Sequence, residues 1–246
     1  MRILFTNDDG YDSYGIHAVA DLFSRDYEIA VVAPDVQKSG FSHSLTLEPN
    51  GLTLKEIGGY GYKVYAVGGT PVDCVKIAFS KLFVKPDVVI SGINNGLNLG
   101  SDIMYSGTIA AATDAAHLGA RAIALSCDRH GDTVSDCKAL AKFIFDNFAL
   151  ITSFDLPPKT VININYPNVS PRGVVVTKMS TLDTFKDGYV ETNGFLIPCG
   201  KRDYTGLDRQ TDEALCRDGY ITVTPLKADR TDYSVLENIG SAEFVL

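Results

Sequence analysis

Arg2-Ile3-Leu4-Phe5-Thr6-Asn7-Asp8-Asp9-Gly10, followed by Ile16 to Phe23 and by Ile29 to Ala33 closed with Pro34, decides the fold. The first run is short and apolar and stops at two acids and a glycine. Ile16, Val19, Ala20 and Phe23 then recur at the spacing of one helical face, and a second apolar run follows. Strand, helix, strand in this order opens a parallel sheet.

The same alternation continues outward. Thr70-Pro71-Val72-Asp73 is a helix start, with a hydroxyl cap, proline in the first turn and an acid at the third position. Asp87 to Ser91 reads as a buried strand with an exit loop from Gly92 to Gly107. Helix Thr108–Leu118, strand Arg121–Ser126, helix Ser135–Leu150 and strand Thr160–Asn165 come next. Between Phe41 and Val67 the alternating Leu45/Leu47 and Leu52/Leu54 around Pro49-Asn50-Gly51 predict an inserted β-hairpin. Beyond Pro171 the alternation ends, and Val174–Val176, Tyr189–Ile197 and Tyr220–Pro225 read as strands between polar loops. The 246 residues are expected to form a single α/β domain: a mostly parallel sheet flanked by helices over 1–179, and a β-rich C-terminal extension over 180–246 that wraps the core or a partner subunit.

Composition narrows the function. A net charge of -8 gives no electrostatic footprint for a DNA or RNA duplex, so an anionic substrate would need a local cation. The five cysteines are scattered without a Cys-x-x-Cys pair, which suggests neither a disulfide framework nor a zinc knuckle. No apolar stretch approaches a membrane span, and Met1 to Thr6 reads as a core strand rather than a secretory leader. A cytoplasmic protein without membrane attachment is expected.

In an open parallel sheet, ligands bind beyond the carboxyl ends of the strands. Three of those ends carry polar, glycine-bearing turns: Asp8-Asp9, Asp35 to Gly40, and Ser91 to Gly100. Adjacent carboxylates repel unless a cation lies beside them. Asp8, Asp9, Ser39 and Asn95 together make an oxygen-only cage suited to Mg²⁺ or Mn²⁺ rather than zinc. Tyr105-Ser106-Gly107-Thr108 opens a helix at the same rim, so its free N–H groups, dipole and hydroxyls form an anion site for a phosphoryl group. Asn94 and Asn98 could contact ligand or bond their own backbone. His17 and His117 read as structural, His43 stands near the Ser39 loop, and Lys201-Arg202 is either a solvated pair or a phosphate contact. Motifs for triphosphate cradling, dinucleotide binding and acyl transfer are absent. The adjacent acids also differ from the Asp-x-Asp of haloacid dehalogenase-type phosphatases.

These residues resemble the SurE (survival protein E) nucleotidases. The resemblance is carried by Asn-Asp-Asp-Gly at 7–10, Ala-Pro-Asp and Lys-Ser-Gly within 33–40, Gly-Thr-Pro-Val-Asp-Cys-Val at 69–75, Ser-Gly-Ile-Asn-Asn-Gly-Leu-Asn-Leu-Gly at 91–100 and Tyr-Ser-Gly-Thr-Ile-Ala-Ala-Ala at 105–112, with Asn-Ile-Asn-Tyr-Pro at 163–167 and Gly-Tyr-Ile-Thr-Val-Thr-Pro-Leu at 219–226. All these motifs lie outside 180–212. The resemblance implies a Rossmann-like core, one divalent cation per subunit held by Asp8, Asp9, Ser39 and Asn95, and hydrolysis of nucleoside 5'- and 3'-monophosphates, in some members also of short polyphosphate. It further implies a homodimer or homotetramer with exchanged C-terminal elements. Catalysis falls to Asp8, Asp9 and Asn95, and phosphate holding to Asn95, Ser106, Gly107 and Thr108. A metal- and nucleotide-binding regulator without turnover is the alternative.

Overall fold

Ile3, Leu4 and Phe5 expose nothing to solvent, as a central strand covered on both faces requires. The computed structural model describes residues 1–82, 85–128 and 133–240. From β1 (Arg2–Thr6) the chain passes through α1 (Tyr14–Phe23), β2 (Glu28–Pro34), β3 (Leu54–Ile57), β4 (Lys63–Val67), α2 (Pro71–Ile77) and β5 (Val88–Asn95). It continues through α3 (Gly107–His117), β6 (Arg121–Cys127), α4 (Thr133–Ser153), β7 (Thr160–Tyr166) and β8 (Val174–Val176). Four short strands follow, β9 (Phe185–Lys186), β10 (Tyr189–Thr192), β11 (Phe195–Pro198) and β12 (Lys201–Arg202), then α5 (Asp212–Arg217), β13 (Ile221–Lys227) and α6 (Tyr233–Ile239).

Among the described residues the central sheet has nine strands in the order β3-β4-β2-β1-β5-β6-β7-β13-β8. β4, β2, β1, β5, β6 and β7 run parallel, so their carboxyl ends share one rim. From β1 the chain winds outward to β2 and β4, then returns to the other side of β1 as β5. That reversal opens a crevice between β1 and β5, where a ligand site is expected.

One face is covered by α1 and α4, the other by α2 and α3. Phe23 of α1 meets Phe5 at 5.7 Å, Phe145 at 5.2 Å and Phe148 at 4.8 Å between ring centroids, all edge-on. Each such pair adds about 0.5–1.5 kcal/mol beyond area burial, which fixes α1 against β1 and the turn between them. On the other face α3 presents Ala111, Ala112, Ala115 and Ala116, all buried. Small side chains let this helix lie close to the sheet, bringing its N-terminus near the β1 exit.

Several elements differ from the sequence expectation. The hairpin forms from β3 and β4, turning through Gly58 to Gly61, and β4 joins the main sheet beside β2. Leu45 and Leu47 form no strand, because their segment is bonded to the α2 cap: Thr70 Oγ1 donates to the Ser44 carbonyl at 2.8 Å and the Asp73 carboxylate accepts the Thr46 N–H at 3.2 Å. β5 runs on to Asn95 rather than ending at Ser91, with a register shift against β6 between Ser91 and Asn94. β8 and β13 complete the central sheet, β13 inserting antiparallel beside β7. Thus part of the expected extension lies in the core, and its last residues, 241–246, lie outside the described residues. Tyr189 to Ile197 is a β10–β11 hairpin turned by Asn193 and Gly194, both at positive φ. No described helix is long and apolar enough to cross a membrane.

Candidate active site

The turn after β1 is shaped by Asn7. Its Oδ1 accepts the Gly10 N–H at 3.2 Å, and its Nδ2 donates to the Gly10 carbonyl at 3.0 Å and to Ser13 Oγ at 2.7 Å. Asp8 points inward and is only 3% exposed. Its Oδ1 accepts the Thr108 hydroxyl at 2.5 Å. Burial pushes the Asp8 carboxyl up to about 6; the Thr108 hydrogen bond opposes that rise and the neighbouring Asp9 charge adds to it. Asp9 is half-buried and also raised by burial, against the lowering effect of its bonds from Asn95 and Gln37.

Those bonds tie the three rim loops together. Asp9 Oδ2 accepts the Asn95 N–H at 3.1 Å, joining the ends of β1 and β5. Gln37 Nε2 donates to Asp9 Oδ1 at 3.4 Å and to Ser39 Oγ at 3.0 Å, joining the loop after β2. The Lys38 N–H to Asp8 carbonyl bond at 2.7 Å holds that loop in place. Gln37 belongs to the site although its only signal in the sequence is position, two residues before Ser39 in the loop after β2.

Asn94 bonds within its own loop, whereas Asn98 is tied across to β6 and β7. Asn94 Nδ2 donates to the Gly96 carbonyl at 2.7 Å. Asn98 is buried, with its N–H on Asn165 Oδ1 at 2.8 Å, its Nδ2 on Ser126 Oγ at 2.7 Å, and its carbonyl accepting from Asn163 and Asn165. Both serve to hold the loop's shape, and Asn95 between them stays exposed.

At the start of α3, Ser106 Oγ accepts the Ile109 N–H at 3.1 Å as an N-cap, an acceptor role that leaves its hydroxyl hydrogen for another partner. Gly107 must lack a side chain: a Cβ there would stand 2.9 Å from the Asp8 Cβ and 3.1 Å from Asp8 Oδ2. Thr108 is fully buried, with its hydroxyl committed to Asp8. A cleft of about 630 Å³ opens over these groups, lined by Asp8, Ser39, Asn95 and Ser106 together with Asp102, Arg202, Tyr204 and Glu213. That volume accommodates a mononucleotide-sized ligand.

The histidines stand apart from this constellation. His17 is bonded to Tyr62 Oη at 2.9 Å and the Tyr11 carbonyl at 2.8 Å and stacks on Tyr60. His43 Nε2 lies 3.6 Å from Asp114, and His117 occupies the last turn of α3. Of the basic pair, Arg202 lines the cleft and pairs with Asp102 and Glu213.

Asp8, Asp9, Ser39 and Asn95 offer oxygen alone, two donors anionic and two neutral. Among the described residues no Lys, Arg or His pairs with Asp8 or Asp9, and no group of three or more His, Cys, Asp and Glu gathers anywhere, this site included, so a cation here would depend on the neutral oxygens as well. Two raised carboxylates without a cationic partner, beside neutral oxygens, fit a hard divalent cation.

The model described as Survival protein SurE matches residues 3–186, most of the chain and every rim loop. The chain belongs to the SurE family. It is 38% identical to the 5'-nucleotidase SurE of Thermoanaerobacter sp. (strain X514) over 250 residues, covering 98% of each protein. It is 39% identical to the 5'-nucleotidase SurE 1 of Thermus thermophilus, over 98% of this chain and 97% of that protein. The crystal structure of the SurE protein from Aquifex aeolicus superposes with a TM-score of 0.81 at 32% identity, over 97% of this chain and 98% of that one. The SurE fold therefore extends beyond the family-model match and includes β13 and the C-terminal segment.

Proposed function

We propose that this SurE-family chain is a divalent-metal-dependent phosphomonoesterase that hydrolyses nucleoside 5'-monophosphates, with 3'-monophosphates and short polyphosphate as further substrates. The observation that carries this reading is the meeting of Asp8, Asp9, Ser39 and Asn95 at the switch point, facing the N-terminus of α3 across one cleft. Near relatives that carry the name 5'-nucleotidase support it.

Asp8, Asp9, Ser39 and Asn95 would hold Mg²⁺ or Mn²⁺. Bound there, the cation would polarise a phosphoryl oxygen and lower the pKa of a water. Asp8 keeps one orientation because Thr108 fixes its Oδ1, and in that orientation it would be one of the groups that hold the cation. Asp9 is held from both sides by Asn95 and Gln37, next to Asp8 at the edge of the cleft, and one of the two carboxylates would accept the water's proton. As the water oxygen bonds to phosphorus and the bond to the nucleoside oxygen breaks, the dipole and N–H groups of α3's first turn, with the Ser106 hydroxyl, would stabilise charge on the equatorial oxygens, and the departing oxygen takes up a proton to leave as the nucleoside hydroxyl. Asn95 would bridge cation and substrate. We further propose a cytoplasmic homodimer or homotetramer assembled through 180–246, supported by the exposed apolar hairpin β10–β11.

The test is phosphate release from a panel of nucleoside monophosphates with and without Mg²⁺ or Mn²⁺, for wild type, Asp8→Asn and Asn95→Ala. Metal-dependent turnover lost in both variants supports the reading. A folded, metal-loaded protein that binds nucleotide without turnover would make it a regulator instead.

A further inference from the structure

The 3-10 turn Gly100–Tyr105 carries the chain from the β5 exit into Ser106 and α3. So short a turn is weakly held by its own hydrogen bonds, and two side chains of the C-terminal segment grip it. Asp212, fully buried at the start of α5, accepts the Gly100 N–H on Oδ2 at 3.1 Å. Its Oδ1 accepts the N–H groups of Ser180 and Glu213, each at 2.8 Å. Arg202 of β12 pairs with Asp102, and is braced by Thr184 Oγ1 at 2.9 Å and Glu213 Oε1 at 3.5 Å. Contact at Gly100 is close: its φ is +50°, and a Cβ would lie 3.2 Å from the Ser180 Cβ and 3.3 Å from Glu213 Oε2. Displacing the turn would leave a buried carboxylate short of a donor, so one geometry is held firmly.

We propose that Asp212 and Arg202 are positioning residues for phosphate: through Gly100 and Asp102 they set where Ser106 and the first turn of α3 stand relative to Asp8 and Asn95. The C-terminal segment thereby sets how tightly the cleft holds the phosphoryl group. The proposal rests on the phosphate-holding role of the α3 N-terminus given above. Both grips carry a carboxylate whose removal has two opposed effects. Neutralising Asp212 or Asp102 makes the cleft less negative, which by field alone tightens anion binding; loosening the turn weakens it. In Asp212→Asn the amide oxygen can keep Ser180 and Glu213, while its NH₂ meets the Gly100 N–H, donor against donor. The turn alone is released.

The experiment is calorimetric titration of inorganic phosphate into the Mg²⁺-loaded full chain for wild type, Asp212→Asn, Asp102→Asn and Ser106→Ala, with kcat, KM and thermal unfolding recorded alongside. Asp212→Asn and Asp102→Asn are expected to raise the phosphate Kd about tenfold or more and to raise KM, Ser106→Ala to raise the Kd as well. A purely structural role would lower the folded fraction and apparent kcat, leaving the Kd of the remaining protein unchanged. Should Asp212→Asn fail to fold, Asp102→Asn decides, since its side chain is partly exposed. Wild-type or tighter phosphate binding in the neutralised variants, with weakened binding in Ser106→Ala, overturns the positioning role. Unchanged binding in Ser106→Ala as well removes the phosphate-holding reading, and this proposal with it.

Discussion

Thr108 Oγ1 donates to Asp8 Oδ1 at 2.5 Å, joining the N-terminus of α3 to the exit of β1. A hydrogen bond to the ionised form favours it, so this contact limits the rise that burial imposes, and the net pKa stands at about 6. In Thr108→Val the Asp8 pKa rises further. With Asp8 in the proposed cation-holding role, protons would compete with the cation for it, so metal affinity is expected to weaken as pH falls through the Asp8 pKa. The acid limb of the pH–kcat/KM profile is expected to move to higher pH in Thr108→Val, as a pH series at fixed metal concentration would show.

Asp8 also opposes folding of the metal-free chain. Its folded pKa of about 6 lies above the ordinary aspartate value, so between about pH 4 and 6 the folded state binds more protons than the unfolded one. The contribution of Asp8 to stability is most favourable below that window and falls as pH rises through it, by up to about 3 kcal/mol. Metal-free Asp8→Asn should therefore melt several degrees above metal-free wild type at pH 8 and equal it near pH 4. Divalent metal should stabilise wild type much more than the variant; calorimetric melts with and without chelator measure both effects.

Gly107→Ala places a Cβ 2.9 Å from the Asp8 Cβ, with Pro71 Cγ at 3.1 Å on another side. Something must shift, and Asp8 is both the partner of Thr108 and a proposed holder of the cation. A destabilisation of about 1–3 kcal/mol and a fall in kcat of roughly a hundredfold are expected, read by urea melts and steady-state assay.

Gln37→Leu removes the amide that bridges Asp9 Oδ1 and Ser39 Oγ. Gln37 is exposed, so stability should stay within about 0.5 kcal/mol. Losing a partner that orients two of the groups proposed to hold the cation should weaken metal affinity by roughly 10- to 100-fold, measurable by metal titration without substrate.

The β10–β11 hairpin shows apolar side chains on both faces, with Phe195 73% and Leu196 69% exposed. An isolated two-stranded hairpin is marginal in water, which is consistent with cover from another subunit. Phe195→Glu with Leu196→Glu should yield a smaller species in sedimentation, with the central sheet's circular dichroism unchanged.

Much of this protein is written in local sequence. β1, α1, β2, α2, α3, β6 and β7 follow from periodicity and end signals that involve only neighbouring residues, and the Thr70-Pro71-Asp73 cap forms as spelled. The rim turns were legible too, because a parallel sheet places every strand's carboxyl end on one side. What local sequence could not specify was pairing at a distance. Leu45 and Leu47 alternate as a strand would, yet their backbone is bonded to the α2 cap instead; Ile221–Lys227 lies in the extension expected to wrap the core or a partner subunit, yet as β13 it inserts between β7 and β8. In the site, the residue types named Asp8, Asp9, Ser39 and Asn95, but only packing could commit Thr108 to Asp8, set Gln37 between Asp9 and Ser39, and bring Asp212 to Gly100 across 112 positions of chain. Hydrophobic period is a property of neighbours, whereas a hydrogen bond between distant side chains exists only once the core has fixed where both of them stand.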